Sequence, residues 1–250
     1  MTQPMHMLSS LSRALVLAPL AALALSASAA AQSFNAQEQA EIRALVREYL
    51  VRNPDVLREA LDSLETRVNA ERWEQVRADS RDFAIGPADA PVVIVEFFDY
   101  RCTYCHAALE WVVRTQASRR DVRFVMKELP ILSDQSFEAA QASLAARPQG
   151  RYWQFHRALM GFRGELTSQR IDELARQSGI DVARMRREME SPEIMAHLQD
   201  NRARAVEYGI NGTPGFIING ELISGYDEER LNERVRQAAI EARERRAAQR

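Results

Sequence analysis

Two periods of apolar residues run along the chain. Near the N-terminus, Ile42, Leu45, Val46, Tyr49 and Leu50 fall at i, i+3, i+4, i+7 and i+8, which predicts an amphipathic helix. Asn35 can cap it, with Glu38 three residues on as in a capping box. Asn53-Pro54 ends that helix and starts another, with Asn as cap and Pro in the first turn. The second carries Leu57, Leu61, Leu64 and Val68, and charges occupy the other faces. Both stripes need a cover. It is either the body of the protein or another copy of the chain, joined as a short helical stalk; the heptad run is under two repeats.

After the turn-rich segment Gly86 to Pro91 the period changes. Val92 to Phe98 is apolar on both pleat faces except at Glu96, which predicts a central buried strand. A helical pattern follows to about Ser118, and Val122 to Met126 reads as a second strand. From about Ser133 to Tyr208 only helices are expected, one carrying Phe137, Ala140 and Leu144 and another Tyr152, Phe155, Leu159 and Phe162. Trp111, Trp153 and Phe155 read as core or as lining near the active site. Phe216 to Ile218 and Glu221 to Ser224 flank Asn219-Gly220, a strong hairpin signal. Leu231, Val235, Ala238 and Ala242 mark a last helix. Strand, helix, strand, helical block, hairpin and helix is an α/β, thioredoxin-like order with an inserted helical domain and an N-terminal helical extension.

Composition adds compartment and excludes one class. Arg13, the apolar run Ala14 to Leu25 and the small residues ending at Ala31 read as a secretory signal peptide, residues 1–31. Removing it takes away one of 33 basic residues and no acid, leaving 32 against 35, a net charge of −3. Nothing there suggests a nucleic-acid partner. We therefore expect a helical extension over residues 32–82, and a catalytic domain over 83–250 with its insertion at about 132–208.

The chain has two cysteines, Cys102 and Cys105, in the stretch FFDYRCTYCH. Disulfide exchange needs an accessible thiolate and a second thiol close enough to resolve the mixed disulfide. A strand that opens into a helix at Cys102 supplies both. Unpaired backbone N–H groups and the helix dipole favour charge on Cys102, and Cys105 lies one turn inward. These features make Cys102 the attacking nucleophile and Cys105 the resolving thiol. Glu96 shares its pleat face with Ile94 and Phe98, so it is expected to be buried, with a raised pKa, and to exchange a proton with Cys105. With His106 the motif also has the form of a c-type haem attachment site, but that chemistry has no use for the buried strand, the acid or a Thr-Pro before a hairpin. Reduced Cys102 and Cys105, with His106, could alternatively hold Cu(I) or Zn(II). Otherwise His106 reads as an exposed first-turn residue that at most modulates Cys102.

The segments APVVIVEFFDYRCTYCH, WQFHRALM and GTPGFIINGELISG, in that order, resemble DsbA-family thiol-disulfide oxidoreductases from about Gly86 to Val235. EIRALVREYLVRNPDVLREAL resembles the N-terminal oligomerisation segment of the suppressor-of-copper-sensitivity (ScsC-type) branch. The resemblance implies that Glu96 is the family's buried acid. It also implies that Thr213-Pro214 is its cis-proline pair, facing the CxxC and offering backbone to a substrate peptide. The dipeptide Thr103-Tyr104 would tune redox poise, and Thr103 departs from the proline found in many relatives. Thr213 resembles isomerases and the ScsC-type branch, which leans toward disulfide shuffling over dithiol oxidation; a copper-binding role for the same cysteines is the reading from another class. The implied setting is periplasmic, with no cofactor and no resident metal. Implied partners are unfolded or misfolded exported proteins, a membrane redox protein, and further copies of the chain through residues 35–80.

Overall fold

The computed structural model describes residues 34–248, and the expected signal peptide lies outside the described residues. The described residues divide into two compact units, one ending at Leu57 and the other beginning at Arg58. In the first, α1 (Ala36–Arg52) starts from the capping box, with Asn35 Oδ1 accepting from Glu38 N and Glu38 Oε2 accepting from Asn35 N. None of its residues is buried, and Leu45, Val46 and Tyr49 stay exposed.

The next helix, α2 (Pro54–Arg77), crosses the division between the units. Its stripe of Leu57, Leu61, Leu64 and Val68 is exposed, yet further on Val76 is buried and Trp73 packs beside it. Five strands form one sheet in the order β1-β3-β2-β4-β5. These are β1 (Phe83–Ile85), β2 (Val92–Phe98), β3 (Val122–Glu128), β4 (Gly215–Ile218) and β5 (Glu221–Ser224). β2 and β3 are parallel, and the other three pairings are antiparallel. All seven β2 residues are buried, as a central strand requires. β1 was not expected: three half-buried residues are too short to show a period.

The sheet carries a core on each face. On one, Val93, Val95, Phe97 and Val125 pack with Val76, Ala205 and Ile210. On the other, Ile94, Phe98, Phe124 and Met126 pack against α3 (Thr103–Ser118) and α9 (Glu228–Ala248). The second core continues into the helical block α4 (Asp134–Ala146), α5 (Tyr152–Gly161), α6 (Ser168–Gln177), α7 (Val182–Glu188) and α8 (Pro192–Glu207). Asn219-Gly220 turns the β4–β5 hairpin with positive φ at both residues. Asn219 also pins that hairpin to β2, its Oδ1 accepting from Val93 N at 2.8 Å and its Nδ2 donating to Pro91 O at 3.1 Å. This fixes the Thr213–Pro214 corner against the end of β2.

Candidate active site

The sequence places Cys102 where β2 has ended and α3 has not begun, and the structure makes it the N-cap of α3. Its sulfur accepts from Cys105 N at 3.3 Å, so it takes the place a capping oxygen usually fills. Asp99 shapes the approach: its Oδ1 accepts from Arg101 N and Ser136 Oγ, and its Oδ2 from Ile131 N and Leu132 N. Cys102 is less open than expected, with only 6% of the residue accessible. Part of the cover is the Thr213-Pro214 corner, whose peptide bond is cis. The protonated Cys102 thiol donates to the Thr213 carbonyl at 3.1 Å.

The two thiols are electrostatically unlike. Cys102 is lowered to about 6, chiefly because the Cys105 thiol donates to it, with the Thr213 hydroxyl and helix-end backbone N–H groups adding to the effect against the cost of burial. The Thr213 hydroxyl is buried and has no other partner, so its proton is free to turn onto a charged sulfur. Cys105 is pushed far up, first by burial and then by its role as donor to Cys102. Glu96 lies 3% exposed on the α3 side of the sheet. Burial, and then the charge of Cys102, raise it to about 8. Thr103 and Tyr104, between the cysteines, are exposed.

His106 departs from expectation. It is half-buried and engaged at both nitrogens: Nε2 donates to Tyr100 O at 2.6 Å, and Nδ1 therefore accepts from Arg163 Nη1 at 2.9 Å. Arg163 Nη1 also donates to Met160 O at 2.9 Å, which ties the end of α5 to the first turn of α3. Burial and the nearby Arg163 and Arg101 charges lower the His106 pKa, so the ring is neutral around pH 7. The motif drew attention to His106, but nothing in the sequence pointed to Arg163, 57 residues away.

The fold and this paired-thiol geometry meet in the comparisons with known proteins. The DSBA-like thioredoxin domain matches residues 93–235. The chain belongs to the DSBA-like thioredoxin family. The copper resistance protein ScsC N-terminal domain matches residues 38–71, over α1 and most of α2. Among solved structures, a thioredoxin-like oxidoreductase from Silicibacter pomeroyi DSS-3 is 38% identical with a TM-score of 0.64, over 67% of this chain and 97% of that one. Proteus mirabilis ScsC in a transitional conformation is 27% identical with a TM-score of 0.63, over 83% of this chain and all of that one. Among curated proteins, a Na(+)/H(+) antiporter NhaA 3 from Salinispora tropica is 31% identical over 166 residues, 65% of this chain. The chain spans only about a quarter of the length of such relatives, 26% and 25% for two of them. The likeness is to thioredoxin-like oxidoreductases of the DsbA and ScsC kind. Among the described residues no helix is long and apolar enough to cross a membrane.

Proposed function

We propose that this protein is an exported, periplasmic disulfide isomerase that exchanges disulfides with misfolded polypeptides through Cys102. The observation that carries the exchange chemistry is the N-cap sulfur of Cys102, held by the Cys105 N–H and set against the Thr213 carbonyl. The Cys102 thiolate attacks one sulfur of a client disulfide. A bond forms between Cys102 and that sulfur, the client S–S bond breaks, and the electron pair leaves on the second client sulfur. That released thiolate can attack a different client disulfide. The client thiolate this sets free then attacks the client sulfur bonded to Cys102, forming a new client S–S bond, returning Cys102 as thiolate and completing isomerisation with no net oxidation. Alternatively Cys105 displaces the client, leaving Cys102–Cys105 oxidised and the client reduced by two electrons.

Glu96 has a part in this second route. While Cys102 is a thiolate, its charge helps keep Glu96 protonated and the Cys105 thiol unwilling to ionise. Once Cys102 is bound in a neutral mixed disulfide, both effects vanish. Glu96 then ionises more readily and can take the Cys105 proton as that thiol attacks. Resolution is therefore gated by formation of the intermediate it consumes. The Thr213-Pro214 corner would align the client backbone, and the exposed Thr103 and Tyr104 would tune redox poise.

Isomerisation is favoured over dithiol oxidation by the exposed apolar stripes of α1 and α2, which would join several catalytic domains on one stalk and hold a client through repeated capture. A membrane redox protein would keep Cys102 and Cys105 reduced. The test compares refolding of a scrambled-disulfide protein with oxidation of a reduced one, using the intact chain and one lacking residues 32–68. The cut must stop there, because Trp73 and Val76 pack into the core. Light scattering should show an oligomer that becomes a monomer on deletion, with isomerase activity falling more than oxidase activity. A monomeric intact chain, or isomerase activity unchanged by the deletion, would overturn the stalk reading.

A further inference from the structure

We propose that the face beside the CxxC helix is a docking surface for an extended acidic polypeptide segment flanking the disulfide that reacts. This rests on the reading that Cys102 exchanges with polypeptides, and it adds which polypeptides. Two concavities open on either side of Arg163, and both reach His106. One, about 730 Å³, runs between α3 and α5 and is lined by Arg114, Arg157 and Arg163 against a single acid, Glu110. The other, about 490 Å³, is lined by Arg101 and Arg163 against a single acid, Glu165.

The charges here are mostly uncompensated. Arg114 pairs with Glu110 at 2.8 Å and Glu228 at 2.6 Å, which removes both it and Glu110 from the balance. Arg163 donates only to neutral groups, the His106 ring and the Met160 and Phe162 carbonyls. Among the described residues, neither Arg101 nor Arg157 has a side-chain ion pair, and both are exposed. Three guanidinium groups thus stand against one free acid, Glu165, on a chain whose overall charge is −2. The concentration of positive charge lies along the first turns of the helix that Cys102 caps. It is long rather than point-like, since it spans two grooves divided by one side chain. An anion filling one groove would leave the other unmatched, whereas an extended chain with several carboxylates can meet Arg101, Arg163 and Arg157 together. Fields of this kind act mainly on the rate of encounter and fade with salt.

The test uses the whole chain and three disulfide-linked peptides that differ only in the residues flanking the cystine: four Glu, four Gln or four Lys. Stopped-flow measurement of mixed-disulfide formation at low ionic strength should give the Glu peptide about a tenfold rate advantage over Gln, with Lys slowest. At 0.5 M salt the three rates should converge to within about twofold. Arg157→Glu should lower the Glu-to-Gln rate ratio to about one or below. Equal rates for all three peptides at low salt would overturn the docking surface while leaving the exchange reading intact. Failure of all three to react would instead remove the exchange reading itself. If glutathione disulfide shows the same salt-sensitive advantage over hydroxyethyl disulfide as the Glu peptide does over Gln, the face takes a small anion and the proposal falls.

Discussion

The stability of the Cys102 thiolate can be taken apart one donor at a time. With a pKa of about 6, the sulfur is ionised in roughly nine molecules of ten at pH 7, against a few per cent for a free thiol near 8.5. The largest contribution is the Cys105 thiol, and the Thr213 hydroxyl is a smaller one of the same sign. Thr213→Val keeps the shape and the carbonyl but removes the hydroxyl. A hydrogen bond to a charged group contributes about 1.5 kcal/mol at the low end, and sulfur is a diffuse acceptor, so the pKa should rise by about one unit, to near 7. Cys105→Ala should raise it further. For Thr213→Val, ionisation at pH 7 falls to about half. Reduced protein then loses about 1 kcal/mol relative to oxidised, before solvent screening at the partly open sulfur trims it, and the potential becomes more negative by at most about 20 mV. The sign follows from a folded pKa below the unfolded one: the stabilisation is complete above about pH 8.5 and is lost as pH falls through 6. Thiolate absorbance near 240 nm, followed from pH 4 to 10, reads the pKa directly, and equilibration with glutathione reads the potential. Two variants that titrate within about 0.3 units of the parent would refute the donor account, as would a larger shift from Thr213→Val than from Cys105→Ala.

Two further outcomes follow from pairings elsewhere. Arg163→Met should free His106 Nδ1 and remove one of the charges that lower the ring's pKa while burial remains, so nitrogen-15 NMR of the imidazole should show a higher titration midpoint than the parent's and mixed tautomers in place of Nε2–H. Lys127 Nζ lies 2.5 Å from Asp82 Oδ2, both side chains being almost fully buried. Lys127→Met should therefore cost about 3–5 kcal/mol in urea unfolding, and adding Asp82→Asn should recover part of it, because the stranded charge is gone while His197 Nε2, now 3.0 Å from Asp82, keeps an acceptor.

What the sequence disclosed was whatever depends on neighbours along the chain. The change from a period of 3.6 to an unbroken apolar strand marked β2, and a single acid inside that run placed Glu96 on a buried face. Asn219-Gly220 announced its hairpin because positive φ is a local demand of the turn. Contacts between distant segments were silent. Arg163 meets His106 across 57 residues, and His197 meets Asp82 from the far end of the helical block. The same reason hid the end of α2, where Trp73 and Val76 leave the exposed stripe and enter the core. Glu128 was not legible because the apolar run of the second strand ends at Met126, whereas the strand runs two residues further.

That last residue offers a direct comparison with Glu96. In the parallel β2–β3 register, Glu96 stands beside Met126 and Phe98 beside Glu128, so both acids face the same core. Burial lifts each to about 8. Their partners differ completely. Glu128 Oε1 accepts from Tyr100 at 2.9 Å and Tyr152 at 2.8 Å. Glu96 makes no hydrogen bond to any described residue. A carboxyl whose folded pKa exceeds its unfolded value loses stability as pH rises from about 4.5, where the unfolded chain gives up its proton, through about 8. By pH 7 that penalty amounts to about 3 kcal/mol for Glu96, and no bond offsets it. Glu96→Leu should therefore stabilise the protein at pH 7 by about 2–3 kcal/mol, and slow release of a trapped Cys102 mixed disulfide by about tenfold or more. Glu128→Leu also relieves a buried carboxyl, but it takes the acceptor from the Tyr152 hydroxyl at about 1–3 kcal/mol, while Tyr100 keeps Ser143 Oγ at 2.8 Å and His156 Nδ1 at 3.1 Å. It should therefore gain less stability than Glu96→Leu while that release rate stays close to the parent's. Urea midpoints and single-turnover resolution rates measure both pairs of values. A Glu96→Leu protein that loses stability and resolves at the parent's rate would mean that Glu96 is held for structure, and its assignment to proton transfer from Cys105 would have to be abandoned.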